Sequence, residues 1–397
     1  MTITAPPRPP GSHTPNVPRL PDLTEPDDHE ALIEEARKRA RRRRRGYGAC
    51  ALLGAAAVGF LGFHNAYGHA GGKQASRGET PRSTASPSAW TSGQLAISDI
   101  GRTTVVNGDG TNLHVLLAPR SQVTFSPDGR ALTYLDRLGR IVSVTQATGR
   151  VRTIVRLGAD RWAYPRWSPD GRQLAYAFGT IPGPTSIAVI SRDGSNGHVV
   201  ASNASPYFRW SPDGRWIAYA DPAFTRILVV RPDGSHRHLA ISGISPRSGG
   251  FGQPDFSWAP EGDRIAFIAR SHRGLAVVVE RIDGTGRRSL VAGQHLYDPQ
   301  WSPDGRSIAF LRGGTLVVRE LATGAETPVA QGAFTEHWSP DGGWIAYLTV
   351  RIGTDGIGRG AVEVVSRDGT QRHEIAQLHK PDDPVWGPSP AARQIHT

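Results

Sequence analysis

One five-residue word, aromatic-Ser-Pro-Asp-Gly, constrains this chain more than any other feature. It stands at Phe125–Gly129, Trp167–Gly171, Trp210–Gly214, Trp301–Gly305 and Trp338–Gly342, with a variant Trp-Ala-Pro-Glu-Gly at Trp258–Gly262 and a degraded copy, Trp-Gly-Pro-Ser-Pro, from Trp386. The lead aromatics are 42, 43, 48, 43, 37 and 48 residues apart, a period that belongs to the blades of a propeller.

Each repeat reads as four strands. From Trp210, Ser-Pro-Asp-Gly makes a turn in which proline presets one dihedral and glycine supplies the left-handed one. Arg215–Tyr219 then alternates with period two, so Ile217 and Tyr219 are expected to be buried on one face. Arg226–Val230 is a third strand, Pro232-Asp233-Gly234 a hairpin turn, and His236–Ala240 a fourth strand. The second turn recurs seven times, as Asp-Gly at 109, 193, 233, 283 and 368 and as Thr-Gly at 148 and 323. The buried pair recurs as Leu132/Tyr134, Leu174/Tyr176, Ile265/Phe267, Ile308/Phe310 and Ile345/Tyr347.

The two ends complement each other. Gln94–Ala118 supplies three strands without the leading word, and Asp382–Pro388 supplies a leading strand without the other three. Joined, they make one blade and remove a sheet edge that would invite aggregation. The expectation is an all-β, seven-bladed propeller over residues 93–397, closed by a composite blade; six blades is the alternative if the ends do not pair.

The residues before the propeller read differently. Residues 1–26 hold eight prolines and are expected to be a disordered cytoplasmic tail. Residues 27–45 are expected to form a basic juxtamembrane helix, with Asp27 and Glu30 placed as a capping box and eight of its residues between Arg37 and Arg45 basic. No Asp, Glu, Lys or Arg occurs from Gly46 to Gly72, and Tyr47–Phe63 is apolar. Residues 46–67 are therefore expected to be a transmembrane helix at the short end of what a bilayer needs. The preceding arginines keep the amino terminus cytoplasmic and the propeller outside. Cleavage as a signal peptide, near Ala66–Gly68 or Gly68–Ala70, is the alternative, and would leave a secreted propeller. Residues 68–92 read as a flexible linker.

The formal charge of +11 does not make a nucleic-acid binder. Residues 90–397 carry 33 basic against 27 acidic residues, a net of +6 spread over the blades rather than a stripe matched to phosphates. Cys50 is the only cysteine, so neither a disulfide framework nor a Cys-based metal site arises within one chain.

The repeats resemble the TolB-like, WD-type propeller family, whose mark is the aromatic-Ser-Pro-Asp-Gly-x-x-Ile/Leu-Ala-Tyr/Phe word, over about residues 94–388. Propellers of that family serve as scaffolds in envelope complexes, as gating domains of prolyl oligopeptidase-like proteases, and in some lyases. The resemblance thus implies the fold and leaves the function open. The chain departs from TolB in its leader, so no role specific to TolB carries over.

Catalytic words are missing from the sequence. There is no Gly-x-Ser-x-Gly elbow, and His373-Glu374 lacks the second histidine of a zinc helix. The aspartates of the repeated word, such as Asp128, Asp170 and Asp213, are explained by turn chemistry, and the lead tryptophans by core packing. No cofactor is expected.

Function, if local, is expected on the top face, where the loops vary in length. Three residues before each lead aromatic lies a position expected to face the channel mouth, including Tyr164, Tyr207, Asp255 and Asp298. Trp162, His295, Tyr297, Glu336 and His337 lie close by in sequence. His295 with Asp298, and Glu336 with His337, are candidate polar or metal-binding pairs. These nine residues suit a peptide, glycan or loop of an envelope protein. The expected function is a membrane-anchored, extracytoplasmic binding or scaffold module that is not an enzyme. The alternative is a metal-dependent lyase or hydrolase acting on envelope carbohydrate or peptide.

Overall fold

Ser-Pro-Asp-Gly turns lock themselves. In the second blade, Ser168 Oγ donates to Asp170 Oδ1 at 2.6 Å, and the same carboxylate oxygen accepts the Arg172 amide at 3.0 Å. Ser168 Oγ also accepts the Gln173 amide at 2.9 Å, and Gly171 adopts φ +67° to close the turn. The Ser–Asp contact recurs at Ser126/Asp128, Ser211/Asp213, Ser302/Asp304 and Ser339/Asp341. In the variant Ala-Pro-Glu-Gly the serine is missing and two main-chain bonds, Gly262 N to Ala259 O and Ala259 N to Arg264 O, both 2.9 Å, close the turn.

The structure is a computed structural model that describes residues 93–99, 102–107, 114–117, 123–180, 183–245, 256–272, 274–352, 358–378 and 385–387. Its strands form seven four-stranded antiparallel sheets. Six blades are continuous; their innermost strands are Thr124–Phe125, Trp162–Trp167, Phe208–Trp210, Phe256–Trp258, Leu296–Trp301 and Ala333–Trp338, defining blades 1 to 6. Blade 7 is composite. Its inner strand, Val385–Trp386, pairs with Gln94–Asp99 through Leu95↔Trp386 and Ala96↔Val385, and Gly387 N donates to Gln94 O at 2.7 Å. The ends therefore pair, and seven blades is the correct count. The tail, basic helix, transmembrane helix and linker expected over residues 1–92 lie outside the described residues. Among the described residues, no helix is long and apolar enough to cross a membrane.

The second strands differ from the expected alternation. Ile217 and Tyr219 are buried as anticipated, but so are Ala218 and Ala220 between them. Both faces of a blade lie against neighbours, so neither face of these strands is left to solvent. The large face of one blade meets the small face of the previous one: Trp210, Ile217 and Tyr219 pack on Ala175 and Ala177, and Trp301, Ile308 and Phe310 pack on Ala266. Seven apolar clusters result, one at each blade interface. Tyr134 departs from its counterparts by being only partly buried.

Candidate functional site

The inner strands deliver side chains to the central channel by parity. Along Trp162–Trp167, Ala163, Pro165 and Trp167 are buried, whereas Trp162, Tyr164 and Arg166 are half-buried. Residues three and one before the lead aromatic thus share a side, away from the blade interior. Blade 3 repeats the pattern with Tyr207 and Arg209 half-buried and Phe208 and Trp210 buried.

The position directly before each lead aromatic holds Thr124, Arg166, Arg209, Ser257, Gln300, His337 and Val385. The first five wall a cavity of about 350 Å³, together with the start of the Ser-Pro-Asp-Gly turns at Pro127, Ser168 and Pro169. Of these seven positions the sequence singled out only His337, its main selection being the residue three before the aromatic on the same side. The shared parity was the signal that would have found the others.

The predicted residues fall into separate groups. Trp162 and Tyr164 stack with ring centroids 5.4 Å apart at 48°, on the side of the strand that carries Arg166. Tyr207 packs 6.1 Å from Phe224. His295 is exposed, with its Nδ1 3.3 Å from the Tyr297 hydroxyl, while Asp298 is buried and accepts Gln300 Nε2 at 2.7 Å. Hydrogen bonds thus tie His295 to Tyr297 and Asp298 to Gln300. A register shift between Tyr297 and Gln300 explains the separation, and both His295 (φ 54°) and Asp298 (φ 44°) take the left-handed conformation that non-glycine residues rarely adopt. A second shift, between Ala333 and Thr335, accompanies the burial of Thr335 and Glu336. Glu336 is fully buried, and His337 beside it is half-buried. Asp255 lies outside the described residues.

Electrostatics single out His337. Enclosure by the protein disfavours its charged form, and the guanidiniums of Arg209 and then Arg166 add to this, lowering its pKa to about 3. The imidazole is therefore neutral at physiological pH, and both arginines lie within electrostatic reach of it. Among the described residues, no three His, Cys, Asp or Glu side chains converge as a metal site.

The sequence profile of the TolB beta propeller domain matches residues 100–313, more than half of the chain. The Tol-Pal system protein TolB of Gluconobacter oxydans is 29% identical over 225 residues, 54% of this chain and 48% of that protein. Dipeptidyl-peptidase 5 of Porphyromonas gingivalis is 34% identical over 97 residues, 20% of this chain and 14% of the peptidase. The chain thus spans less than half the length of either curated relative. Among solved structures, an oligogalacturonate lyase in complex with manganese superposes with a TM-score of 0.51 at 12% identity, covering 62% of this chain and 79% of the lyase. That likeness speaks for the fold alone. The repeated word, the seven four-stranded sheets and the profile match agree: this chain belongs to the TolB beta propeller domain family.

Proposed function

We propose that this chain is a membrane-anchored propeller that works outside the cytoplasm as a binding or scaffold module of the cell envelope. The observation that carries the reading is the shared side of the inner strands in blades 2 and 3. There Trp162, Tyr164 and Tyr207 put half-buried rings in line with the guanidinium-bearing Arg166 and Arg209. Aromatic faces followed by fixed charge suit recognition of an extended polar ligand such as a peptide, a glycan or a protein loop. Ring closure by blade 7 leaves a rigid frame for that surface. The anchor rests on the charge-free stretch after Arg37–Arg45, and nucleic acid is not a partner in this reading.

The test is capture from cross-linked envelope with the tagged full chain in detergent. A matched bait carries Tyr164→Ala, Tyr207→Ala and Asp298→Ala. A partner held by the first bait and lost by the second is expected; equal capture by both sinks the surface. Alkaline extraction of membranes checks the anchor, and release of the intact chain into the soluble fraction would contradict it. The enzymatic alternative requires His, Asp or Glu side chains converging on an ion, so elemental analysis of the same preparation is its test.

A further inference from the structure

The cavity at the channel neck has an unusual wall. Among the described residues that line it are two arginines, Arg166 and Arg209, the amide of Gln300 and the hydroxyls of Thr124 and Ser257, but no Asp or Glu. The arginines come from adjacent blades and occupy the same register position, one residue before Trp167 and Trp210. Their main chains are held in place: the carbonyl oxygens of Arg166 and Arg209 accept the indole Nε1 of Trp210 and Trp258 at 3.1 and 3.2 Å. The same two guanidiniums also reach His337, where, after burial, Arg209 and Arg166 oppose its protonation. Asp298, the carboxylate two residues before Gln300, does not line the cavity and is engaged by the Gln300 amide at 2.7 Å.

Planar guanidiniums recognise carboxylate and phosphate oxygens through paired, charge-assisted hydrogen bonds. Low-dielectric walls strengthen such contacts relative to bulk water. The volume of about 350 Å³ is that of a small-molecule site, and Trp210 and Trp258 contribute apolar wall.

We propose that this neck cavity binds a small organic oxyanion, a carboxylate or a phosphate ester, through Arg166 and Arg209. The inference goes beyond the binding module proposed above and does not require a macromolecular partner. Arg166 and Arg209 hold the charged end, Gln300 and Ser257 offer neutral polar contacts, and the indoles border the remainder.

Calorimetric titration of the full chain in detergent, at fixed ionic strength, tests this with malonate and inorganic phosphate as probes and chloride as the control. Binding of malonate or phosphate is expected, and which of them binds more tightly distinguishes the two sources of the oxyanion. Arg209→Gln and Arg166→Gln should each weaken it by about tenfold or more, the loss of a charged hydrogen-bond pair. Arg209→Lys, which keeps the charge without the fork, should lose less than Arg209→Gln. The exposed Arg172→Gln should bind as the wild type does. Thermal unfolding of each variant confirms that the fold survives. Absence of heat with both anions, equal binding of chloride, or unchanged affinity in a folded variant carrying both Arg166→Gln and Arg209→Gln would overturn the proposal. An empty titration alongside successful partner capture would remove the oxyanion site and leave the binding module standing.

Discussion

The indole Nε1 of Trp210 donates to the main-chain carbonyl of Arg166, one blade earlier, at 3.1 Å. Trp258 repeats the contact to Arg209, Trp338 to Gln300 at 3.2 Å, and Trp386 to His337 at 3.0 Å. These four tryptophans are therefore more than core aromatics, because each ties its blade to the channel-facing residue of the blade before it. Blade 1 supplies a different acceptor. Trp167 Nε1 donates to Thr133 Oγ1 at 3.0 Å, where the other continuous blades carry alanine at the matching second-strand position. Trp301 is the exception, since its buried Nε1 finds no acceptor among the described residues.

That exception makes a controlled comparison. Trp210→Phe and Trp301→Phe remove similar indole volume, but only the first strands a carbonyl. Urea unfolding should show Trp210→Phe costing about 1–3 kcal/mol more than Trp301→Phe. Equal costs would mean that the indole bond contributes nothing.

Blade 6 holds an ion pair between a buried carboxylate, Glu363, and an exposed arginine, Arg372. Tyr347 donates its hydroxyl to Glu363 Oε2 at 2.7 Å, and Arg372 bonds the same carboxylate and stacks 5.5 Å over the Tyr347 ring. Glu363 is 3% exposed, so Arg372→Met leaves a buried carboxylate without its cation. A loss of about 1–3 kcal/mol is expected, since the arginine is itself partly solvated, read from the urea midpoint. Tyr347→Phe should cost about 1–2 kcal/mol.

His337 makes stability depend on pH. Its pKa falls from 6.5 to about 3 through burial first, then Arg209 and Arg166, so the unfolded chain binds a proton that the folded one refuses. Stability should fall as pH drops from about 6.5 towards 3. His337→Gln removes this contribution and should flatten the slope in that window, measured as unfolding midpoints at several pH values.

A second acid-sensitive contact joins blades 5 and 6. Burial alone would raise the pKa of Asp304, but Ser302, Arg367 and the Arg306 amide outweigh it and hold the group at about 2. Arg367 Nη1 lies 2.7 Å from Asp304 Oδ2. A depressed carboxylate stabilises above its unfolded value of 3.8 and loses that contribution as pH falls through about 2. Asp304→Asn should therefore be less stable than wild type at pH 5 and should converge on it near pH 2.

Gly139→Ala is expected to prevent folding of blade 1. Gly139 has φ +70°, and a Cβ there would lie 1.9 Å from the carbonyl oxygen of Gly158. The clash is with main chain, which cannot rotate away as a side chain could. Loss of soluble, folded protein is the expected readout.

Much of this architecture was legible because its causes are local. Ser-Pro-Asp-Gly closes its own turn through Ser168 and Asp170, within five residues, so repetition of the word marked every such turn it occupied. The composite blade was legible as well, since the strands missing from one end are present at the other, and the structure pairs them through Leu95↔Trp386. The nine candidate residues proved harder to group. His295 and Asp298 are three residues apart, yet the register shift in blade 5 separates their contacts, and nothing in the composition of that strand signals it.

By itself the sequence determined the repeat, the turns and the apolar second strands, because short-range turn chemistry and side-chain periodicity decide them, while the count of seven blades over six rested on the pairing of the two ends. Only the tertiary structure decided which residues meet at the axis. Arg166, Arg209 and His337 lie in three different blades, up to 171 positions apart in numbering, and converge because seven wedges close into a ring. Ring closure also decided that both faces of every blade are buried, so Ala218 lies as deep as Ile217. Periodicity along one strand carries no information about a neighbour on its second face.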